Sequence, residues 1–346
     1  MAQDLKLGLN VGYWAGGPPA GIEEAVSTAD ELGFDSIWTA EAYGSDALVP
    51  LAWWGASTRR VKLGTAIAQI SARTPAATAM AAMTLDHLSG GRLILGLGVS
   101  GPQVVEGWYG QPFAKPLARM REYIGILRDI WARKGPVTSD GPHYPLPLRD
   151  GTGLAKPLRS SIHPLREEIP IYLAAEGPKN IALAAELCEG WLAIFFSPAH
   201  EDMYREALDE GFARPGARHA PDAFEVAATV PLIVTDDVEG AADSLRPMYA
   251  LYFGGMGARS ANFHANVPVR MGYEAEVRKI QDLYLEGHKD EAAAAVPTAL
   301  IEQLTLIGPE EKIRHDLEAW RQSIVTTLLI GGDAPALRAA AEIVLG

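Results

Sequence analysis

Cysteine is almost absent from this sequence: one residue, Cys188, occurs among 346. A single cysteine excludes an internal disulfide and is typical of proteins kept in a reducing compartment. Cys188 lies in the stretch AAELCEGW, whose apolar residues recur at helical spacing, so we expect a buried packing residue and not a nucleophile. The first residues also lack the layout of a signal peptide. These features predict a cytoplasmic location.

Long apolar runs and positive charge are also scarce. No apolar run approaches the roughly 20 residues that a membrane-spanning helix needs, so we expect no membrane segment. Lysine and arginine number 30 against 43 acidic residues, which gives a formal net charge of −13. Such a charge repels the phosphates of nucleic acids over most of the surface. We therefore expect a soluble globular protein that binds small molecules and not nucleic acid.

Motifs of the common active sites are missing. The eight histidines show neither His-x-His nor His-Glu-x-x-His spacing, so we expect no metal site. His87 and His315 fall within predicted helices, where packed or solvated histidines are typical. Neither the G-x-S-x-G motif of hydrolases nor the G-x-x-x-x-G-K-[ST] motif of phosphate-binding loops occurs. Few candidate catalytic acids, bases or nucleophiles occur at the predicted strand ends. The sequence therefore suggests that a cofactor supplies the reactivity.

Short apolar runs alternate with longer amphipathic stretches along the chain. The predicted strands cover residues 6–13, 35–40, 61–70, 93–98, 169–175, 191–196, 224–234 and 326–332. Each is followed by a predicted helix, and eight strand–helix units favour a closed parallel barrel over an open sheet. The sequence therefore predicts an α/β fold, a (β/α)8 TIM barrel formed by residues 1–346 as a single domain. Insertions are expected at about 135–168 and 235–300.

The stretch 96–101, GLGVSG, matches the G-x-G-x-x-G pattern of dinucleotide-binding loops letter for letter. In that fold the pattern follows the first strand and opens directly into a helix. Here it lies far along the chain, and Pro102 begins a stretch up to Pro116 that we predict to be loop. We therefore interpret the glycines as a tight strand end and not as a dinucleotide fingerprint.

A second glycine-containing turn occurs in AAEGPKN, residues 174–180. A strand ends near Ala175, a Gly-Pro pair makes the turn, and a helix begins near Lys179. Free amides at a helix N-terminus, together with the Lys179 ammonium, can bind a phosphate. The alternative is an ordinary strand-to-helix turn, which uses the same residues. Nearby basic residues either extend a phosphate site or are surface charges: Arg73, Lys156 and Arg159.

Glu41 ends the second predicted strand, in the stretch WTAEAYG. A carboxylate there points to the mouth of a barrel, where it can bind a polar ring edge or accept a proton. It can equally cap the next helix. Four aromatic residues near strand ends are candidates for either core packing or cofactor lining: Tyr13, Trp14, Tyr43 and Trp108.

Several stretches together resemble one family. They are GFDSIWTAEAYG, the long segment RVKLGTAIAQISARTPAATAMAAMTLDHLSGGRLILGLGVSGPQVVEGWYG, IPIYLAAEGPKN and LIGPEEKI. The sequence resembles the luciferase-like flavin and deazaflavin oxidoreductases, and among them most closely the coenzyme F420-dependent branch. The resemblance spans essentially the whole chain, and its specific part is the alanine-rich helix, LDHLSGGR and the glycine-rich strand.

This resemblance implies a barrel with the coenzyme ring at its mouth and a non-proline cis peptide, Ala66–Ile67, behind the ring. Glu41 would lie near the polar edge of the ring and Gln69 near its other end, and Ser100 and Gly101 would follow the ribityl chain. Dimerisation of two identical chains is also implied. The residues implied to bind the coenzyme are Glu41, Ala66, Ile67, Gln69, Gly98, Ser100, Gly101, Glu176, Gly177, Pro178 and Lys179, the last three around its phosphate.

Two departures narrow the expected chemistry. The F420-dependent glucose-6-phosphate dehydrogenases have a histidine and an acidic residue where this chain has Ala42 and Pro102. We therefore expect hydride transfer between F420 and a small organic substrate, either an activated C=C, C=O or imine bond or an alcohol. Glu41 and Tyr13 are the candidate catalytic proton donors. Two alternatives stay open: an FMN-dependent luciferase-like monooxygenase, and a ligand-binding barrel without catalysis.

Overall fold

The computed structural model describes residues 4–14, 16–257 and 262–346. Its strands are short and almost wholly buried, as expected of parallel strands covered by helices. The strands are β1 (Lys6–Gly12), β2 (Ser36–Thr39), β3 (Lys62–Thr65), β4 (Ala68–Gln69), β5 (Leu93–Gly98), β6 (Ile171–Ala174), β7 (Gly190–Ala193), β8 (Glu225–Thr229), β9 (Leu232–Val234), β10 (Leu306–Gly308) and β11 (Thr327–Ile330).

Nine of these strands form one parallel sheet in the order β3-β2-β1-β11-β8-β7-β6-β5-β4, and β3 also pairs with β5. That last pairing, in register at Leu63 and Leu93, joins the two ends of the sheet. Both β3 and β4 pair with β5, so they occupy the same strand position in the barrel. The sheet therefore has eight strand positions and closes on itself. The predicted α/β (β/α)8 TIM barrel is therefore confirmed.

Helices surround this barrel. They are α1 (Ile22–Leu32), α2 (Val49–Ser57), α3 (Pro75–Ser89), α4 (Pro102–Gly107), α5 (Pro116–Ala132), α6 (Pro178–Leu187), α7 (Asp202–Phe212), α8 (Val238–Ala250), α9 (Asn266–Arg270), α10 (Glu274–Leu285), α11 (Lys289–Ala294), α12 (Thr298–Leu304), α13 (Glu310–Gln322) and α14 (Ala334–Val344). No helix in the described ranges has the length and apolarity that crossing a membrane requires.

Local sequence signals set the helix ends. At the start of α3 the Thr74 hydroxyl accepts a hydrogen bond from the Ala77 amide at 3.2 Å, and Pro75 takes the first helical position. The same helix ends at Gly90, whose φ of 69° is readily adopted by glycine. These signals place α3 so that its successor strand, β5, enters the barrel beside β4.

The structure corrects three predicted elements. The strand expected at 61–70 is two strands, β3 and β4, because the backbone turns at the cis peptide Ala66–Ile67. The strand expected at 224–234 is also two, and β9 leaves the barrel to pair with β10. The loop expected between Gly101 and Pro116 contains α4, which starts directly after Gly101, because Pro102 is well suited to a first helical position.

The interior of the barrel is filled. Buried side chains from six of the strands form an internal layer: Trp38, Ile94, Tyr172, Leu192, Ala227 and Leu329. Ala66, Ile67 and Ala174 pack on this layer from the side of the strand C-termini. The layer therefore forms a floor, and any ligand bound at the axis lies above it, at the mouth.

The two long connections differ in character. Residues 135–168 between α5 and β6 contain only isolated antiparallel bridges, Val137 with Leu158 and Ser139 with Leu146. The connection after β9 is helical and includes a π-helical turn at Leu251–Gly255 followed by α9 to α12. Helices α10 and α11 are separated at Gly287, which has a φ of 92°.

Candidate active site

The cis peptide bond Ala66–Ile67 lies between β3 and β4, where the resemblance implied it. Its surroundings explain why Gly98 ends the neighbouring strand. A Cβ atom built on Gly98 would lie 2.7 Å from Cγ1 of Ile67, so only glycine leaves room for this side chain. Ile67 is partly exposed above the barrel floor. The bond and Gly98 thus shape the surface on which a bound ring would rest.

Glu41 lies two residues beyond the end of β2 and is buried, and its carboxylate has several partners. Nη1 of Arg73 donates to both its oxygens, at 2.7 and 2.9 Å. The amides of Gln69 and Ala47 also donate to the carboxylate, at 2.8 and 3.3 Å. Glu41 therefore fixes the loop before α2 and the end of β4, whereas Asp46 makes the cap-like bonds to the amides at the start of α2.

Arg73 is thereby removed from the predicted phosphate lining. It lies half-buried between Glu41 and Asp46 and forms an ion pair with each. Burial lowers the pKa of Arg73, but the two carboxylates outweigh burial and raise that pKa above its ordinary value. The other two candidate cations, Lys156 and Arg159, are exposed in the 135–168 connection, in agreement with the surface-charge alternative.

Gln69 is the last residue of β4 and is buried. Its Nε2 atom donates to the Glu41 carbonyl at 2.9 Å, which fixes the orientation of the amide. Its Oε1 atom is buried and has no partner among the described residues. A buried acceptor left unpaired is costly, so this oxygen is suited to a ligand donor. The position agrees with the implied contact of Gln69 with one end of the coenzyme ring.

The glycine-rich stretch after β5 bends sharply at Ser100, whose φ of 59° is unusual for a non-glycine residue. Ser100 and Gly101 are partly exposed at the mouth, and α4 begins at Pro102. A helix thus does follow the G-x-G-x-x-G pattern, but it has only six residues and its strand is the fifth of a barrel. The stretch is a strand end at a barrel mouth.

Gly177 precedes α6, which starts with Pro178. No side chain caps this N-terminus, and among the described residues the amides of Gly177 and Lys179 have no hydrogen-bond partner. Gly177, Pro178 and Lys179 are exposed. Free amides, the helix dipole and a lysine meet here as the phosphate prediction requires. The carboxylate of Glu176 beside them is negative and does not suit a phosphate contact.

Aromatic hydroxyls gather on another side of the mouth. The rings of Tyr13, after β1, and Tyr43, after β2, lie 6.4 Å apart. Burial and the neighbouring Tyr43 raise the pKa of Tyr13, so its phenol stays protonated at neutral pH. Burial, reinforced by Tyr13 and Glu176, raises the pKa of Tyr252 in the π-helical turn to about 12. Trp108, by contrast, is exposed beyond α4.

Sequence analysis missed one member of the site. His264 lies in the 235–300 insertion, and its Nδ1 atom is 2.6 Å from Oε1 of Glu176, at an angle outside hydrogen-bond geometry. Its ring packs edge-on against Tyr252, with centroids 4.9 Å apart, and against Phe195 at 6.1 Å. Since 88 residues of chain separate Glu176 from His264, no local motif could have indicated the pair.

Unpaired buried polar atoms mark this mouth. Within the described residues six such atoms follow strand ends or face them: Trp14 Nε1, Gln69 Oε1, Ser71 Oγ, Glu176 Oε2, Asn180 Oδ1 and Ser197 Oγ. Buried groups of this kind are normally satisfied by protein, water or ligand. Beside them, a cavity of about 190 Å³ opens between β4, α4 and α5, lined in part by Ser71, Val99 and Phe113. The mouth is thus built for a polar ligand.

The fold and site define a class of protein: a closed parallel barrel whose mouth, at the C-terminal ends of its strands, carries buried polar atoms that have no partner among the described residues. The sequence profile of the luciferase-like monooxygenases matches residues 8–327. The chain therefore belongs to the luciferase-like monooxygenase family, as the resemblance implied.

Individual relatives narrow the comparison. The chain is 56% identical to a candidate coenzyme F420-dependent oxidoreductase of Mycobacterium tuberculosis, over 99% of this chain and 100% of that protein. It is 28% identical to the 5,10-methylenetetrahydromethanopterin reductase of Archaeoglobus fulgidus, over 90% and 89% of the two chains. The solved structure of the coenzyme F420-dependent tetrahydromethanopterin reductase of Methanopyrus kandleri superposes with a TM-score of 0.80 at 22% identity, covering 99% of each chain.

Proposed function

We propose that this protein is a coenzyme F420-dependent oxidoreductase that transfers a hydride between the deazaflavin and a small organic substrate. The observation that carries the proposal is the ring of unpaired buried polar atoms at the barrel mouth, around the implied coenzyme site. A relative named for F420, 56% identical over 99% of the chain, adds support.

Four features of the mouth hold the coenzyme. Ile67 and Gly98 support the back of the ring above the barrel floor, and Gln69 Oε1 accepts from one edge. Ser100 and Gly101 follow the ribityl chain. The amides of Gly177 and Lys179, with the Lys179 ammonium, bind the phosphate. Glu41 acts through its loop, because its oxygens are already occupied by Arg73 and two amides.

Bound F420 supplies two-electron hydride chemistry, and the chain supplies position and protons. Tyr13 keeps its proton because its pKa is raised, so it donates a hydrogen bond that orients the polar atom of the substrate. A phenol that is reluctant to ionise is a poor proton source, so Tyr13 serves as an orienting donor. The substrate class is an activated C=C, C=O or imine bond, or the corresponding alcohol.

Binding and turnover together test the proposal. Purified protein is titrated with F420 and with FMN while coenzyme fluorescence is followed. Reduced F420 is then offered with cyclohexanone, 2-cyclohexen-1-one and 1-pyrroline, and oxidised F420 with cyclohexanol. We expect tight binding of F420. We also expect at least one of these probe substrates to oxidise or reduce the bound coenzyme. Exclusive binding of FMN supports the monooxygenase instead, and F420 binding without any hydride exchange supports a barrel without catalysis.

The chain also presents a surface suited to a second copy of itself, so we propose a cytoplasmic homodimer formed by one barrel domain per chain. Helices α2 and α3 pack side by side and expose large apolar side chains, among them Trp53 (71% exposed), Met80 (59%) and Leu88 (73%). Apolar patches of this kind mark interaction surfaces. Light scattering of the purified protein measures the assembly directly.

A further inference from the structure

The positions of Ala42 and Pro102 leave this mouth without the acid and base that the sugar-phosphate dehydrogenases of the family would place there. We propose that Glu176 and His264 are the proton-transfer pair of this enzyme, an inference that rests on the proposed function. The ring of His264 exchanges a proton with the substrate, and the carboxylate of Glu176 holds that ring in place. The pair suits a carbonyl–alcohol or imine–amine couple, whose heteroatom gains or loses a proton.

Geometry supports this assignment. Glu176 is two residues beyond β6, so its carboxylate emerges at the mouth, and its side chain is only 13% exposed. One carboxylate oxygen lies 2.6 Å from Nδ1 of His264, and the other is buried without a partner among the described residues. The carbonyl of Glu176 accepts from Nη2 of Arg270 at 2.6 Å, which ties α9 to β6. A carboxylate in contact with one ring nitrogen fixes the orientation of the imidazole and leaves the other nitrogen to face a substrate.

The aromatic neighbours fix the plane of the imidazole. Tyr252 meets it edge-on at 77°, and Phe195 at 87°. Phe195 itself, just past β7, has a φ of 58°, a left-handed conformation that is rare for a bulky residue and is typical of functional sites. His264 remains 26% exposed, and its Nε2 atom has no partner in the described part of the chain. Nε2 is therefore the nitrogen available to a substrate.

The reaction balances with these groups alone and F420. In the reductive direction, bound reduced F420 would supply the hydride that forms a C–H bond at the carbonyl or imine carbon, and the π electrons would move to the heteroatom. That heteroatom takes the proton on Nε2 of His264, which leaves the imidazole neutral; the coenzyme would be left oxidised. Alcohol oxidation is the reverse, with neutral His264 as the base.

Other groups that face the pair do not take over this role. The described titratable or charged neighbours are Tyr13, Tyr43, Tyr204, Tyr252 and Arg270. Burial raises the pKa values of Tyr13, Tyr204 and Tyr252, and Arg270 is engaged by the Glu176 carbonyl. Tyr43 is more than half exposed. His264 is the imidazole of this group, and imidazole is the side chain that most often acts as a general acid or base.

His264→Gln and Glu176→Gln test the pair, with exposed His315→Gln as the matched control. The first readout needs no turnover: the histidine ring NMR signal lost in H264Q is assigned to His264. We expect that signal to shift when F420 is added and to shift again in E176Q. A signal that responds to neither overturns the inference, because His264 would then lie apart from both coenzyme and Glu176.

The second readout is turnover of the probe that wild-type protein converts fastest. We expect H264Q to lower kcat by about 100-fold or more, the usual contribution of a general acid, while F420 affinity stays as in wild type. One ionisation in the pH dependence of kcat should disappear in H264Q and should remain in H315Q. Retained kcat, or lost F420 affinity, overturns the pair while leaving the proposed function standing. If the wild-type protein fails to bind F420, both the proposed function and the Glu176–His264 pair are contradicted.

Discussion

The guanidinium of Arg73 and the carboxylate of Glu41 form a buried, two-oxygen ion pair at the barrel mouth, with N–O distances of 2.7 and 2.9 Å. Residues from the ends of β2 and β4 are joined by this contact and by the amide of Gln69. The pair therefore defines the shape of one wall of the site, and neither member is free for proton transfer.

Arg73→Ala should destabilise the protein by about 3 kcal/mol, because truncating one partner leaves a buried carboxylate without compensation. Arg278→Ala is the matched control, since its pair with Glu274 is exposed on both sides and a surface pair contributes about 0.5 kcal/mol or less. Urea unfolding at pH 7 measures both. Equal stabilities for the two variants would contradict the role of the Glu41–Arg73 pair in building the mouth.

Gly98→Ala should weaken F420 binding and lower stability by about 1–3 kcal/mol, the usual cost of overpacking. The added methyl would lie 2.7 Å from Ile67 and displace the surface behind the ring. Gly125→Ala in α5 is the control: its Cβ meets nothing within 4 Å, so it should stabilise the helix by about 0.5–1 kcal/mol. Fluorescence titration and thermal unfolding separate these results. Unchanged affinity in G98A would place the coenzyme elsewhere.

Met80→Glu and Trp53→Glu should convert the proposed homodimer to monomers, because each puts a charge into the apolar face of α2 and α3. Leu154→Glu is the matched control, since Leu154 is 86% exposed and belongs to the 135–168 connection and not to α2 or α3. Molar masses from light scattering report the outcome. If all three variants keep the wild-type mass, the face formed by α2 and α3 is not the interface.

Glu186 gives a pH dependence of stability. Hydrogen bonds from Arg121, opposed by burial and reinforced by Arg214, hold the pKa of Glu186 below its ordinary value of 4.5. A depressed folded-state pKa stabilises the protein above pH 4.5, and the stabilisation is lost as pH falls through the folded-state value.

Glu186→Gln should therefore be less stable than wild type at pH 7, and the difference should shrink as the pH falls below 4.5. Exposed Glu286→Gln should track wild type throughout. Chemical unfolding at a series of pH values from neutral to acid measures the two differences. A Glu186→Gln deficit that is constant across that range would mean that ionisation of Glu186 is not the cause.

The sequence was sufficient for the barrel because its signals are local. Alternating strands and helices, the Thr74-Pro75 helix start and the glycine ends need only neighbouring residues to be recognised. Positions of Glu41, Gln69 and Gly177 at strand ends followed from the same alternation. The prediction failed where two consecutive elements look like one, as in 224–234, since periodicity does not report which partner a strand pairs with.

The sequence also did not predict which side chains contact each other across the mouth. Glu41 was expected to be a lone carboxylate, and Arg73 a lining cation or surface charge, because nothing in a sequence shows that two such side chains meet. His264 was missed for the same reason: it lies in an insertion without regular spacing and meets Glu176 only in the folded chain. Long-range contacts, and not local propensities, decide which titratable groups share a site.

The packed layer of Trp38, Tyr172, Leu192 and Leu329 makes the barrel a cup with one opening. Coenzyme and substrate must then enter and leave through the same aperture, and whichever settles deeper has to arrive first and depart last. With the ring of the proposed coenzyme on Ile67, that molecule would be the coenzyme. Binding would then follow a fixed order, with the coenzyme binding first and leaving last.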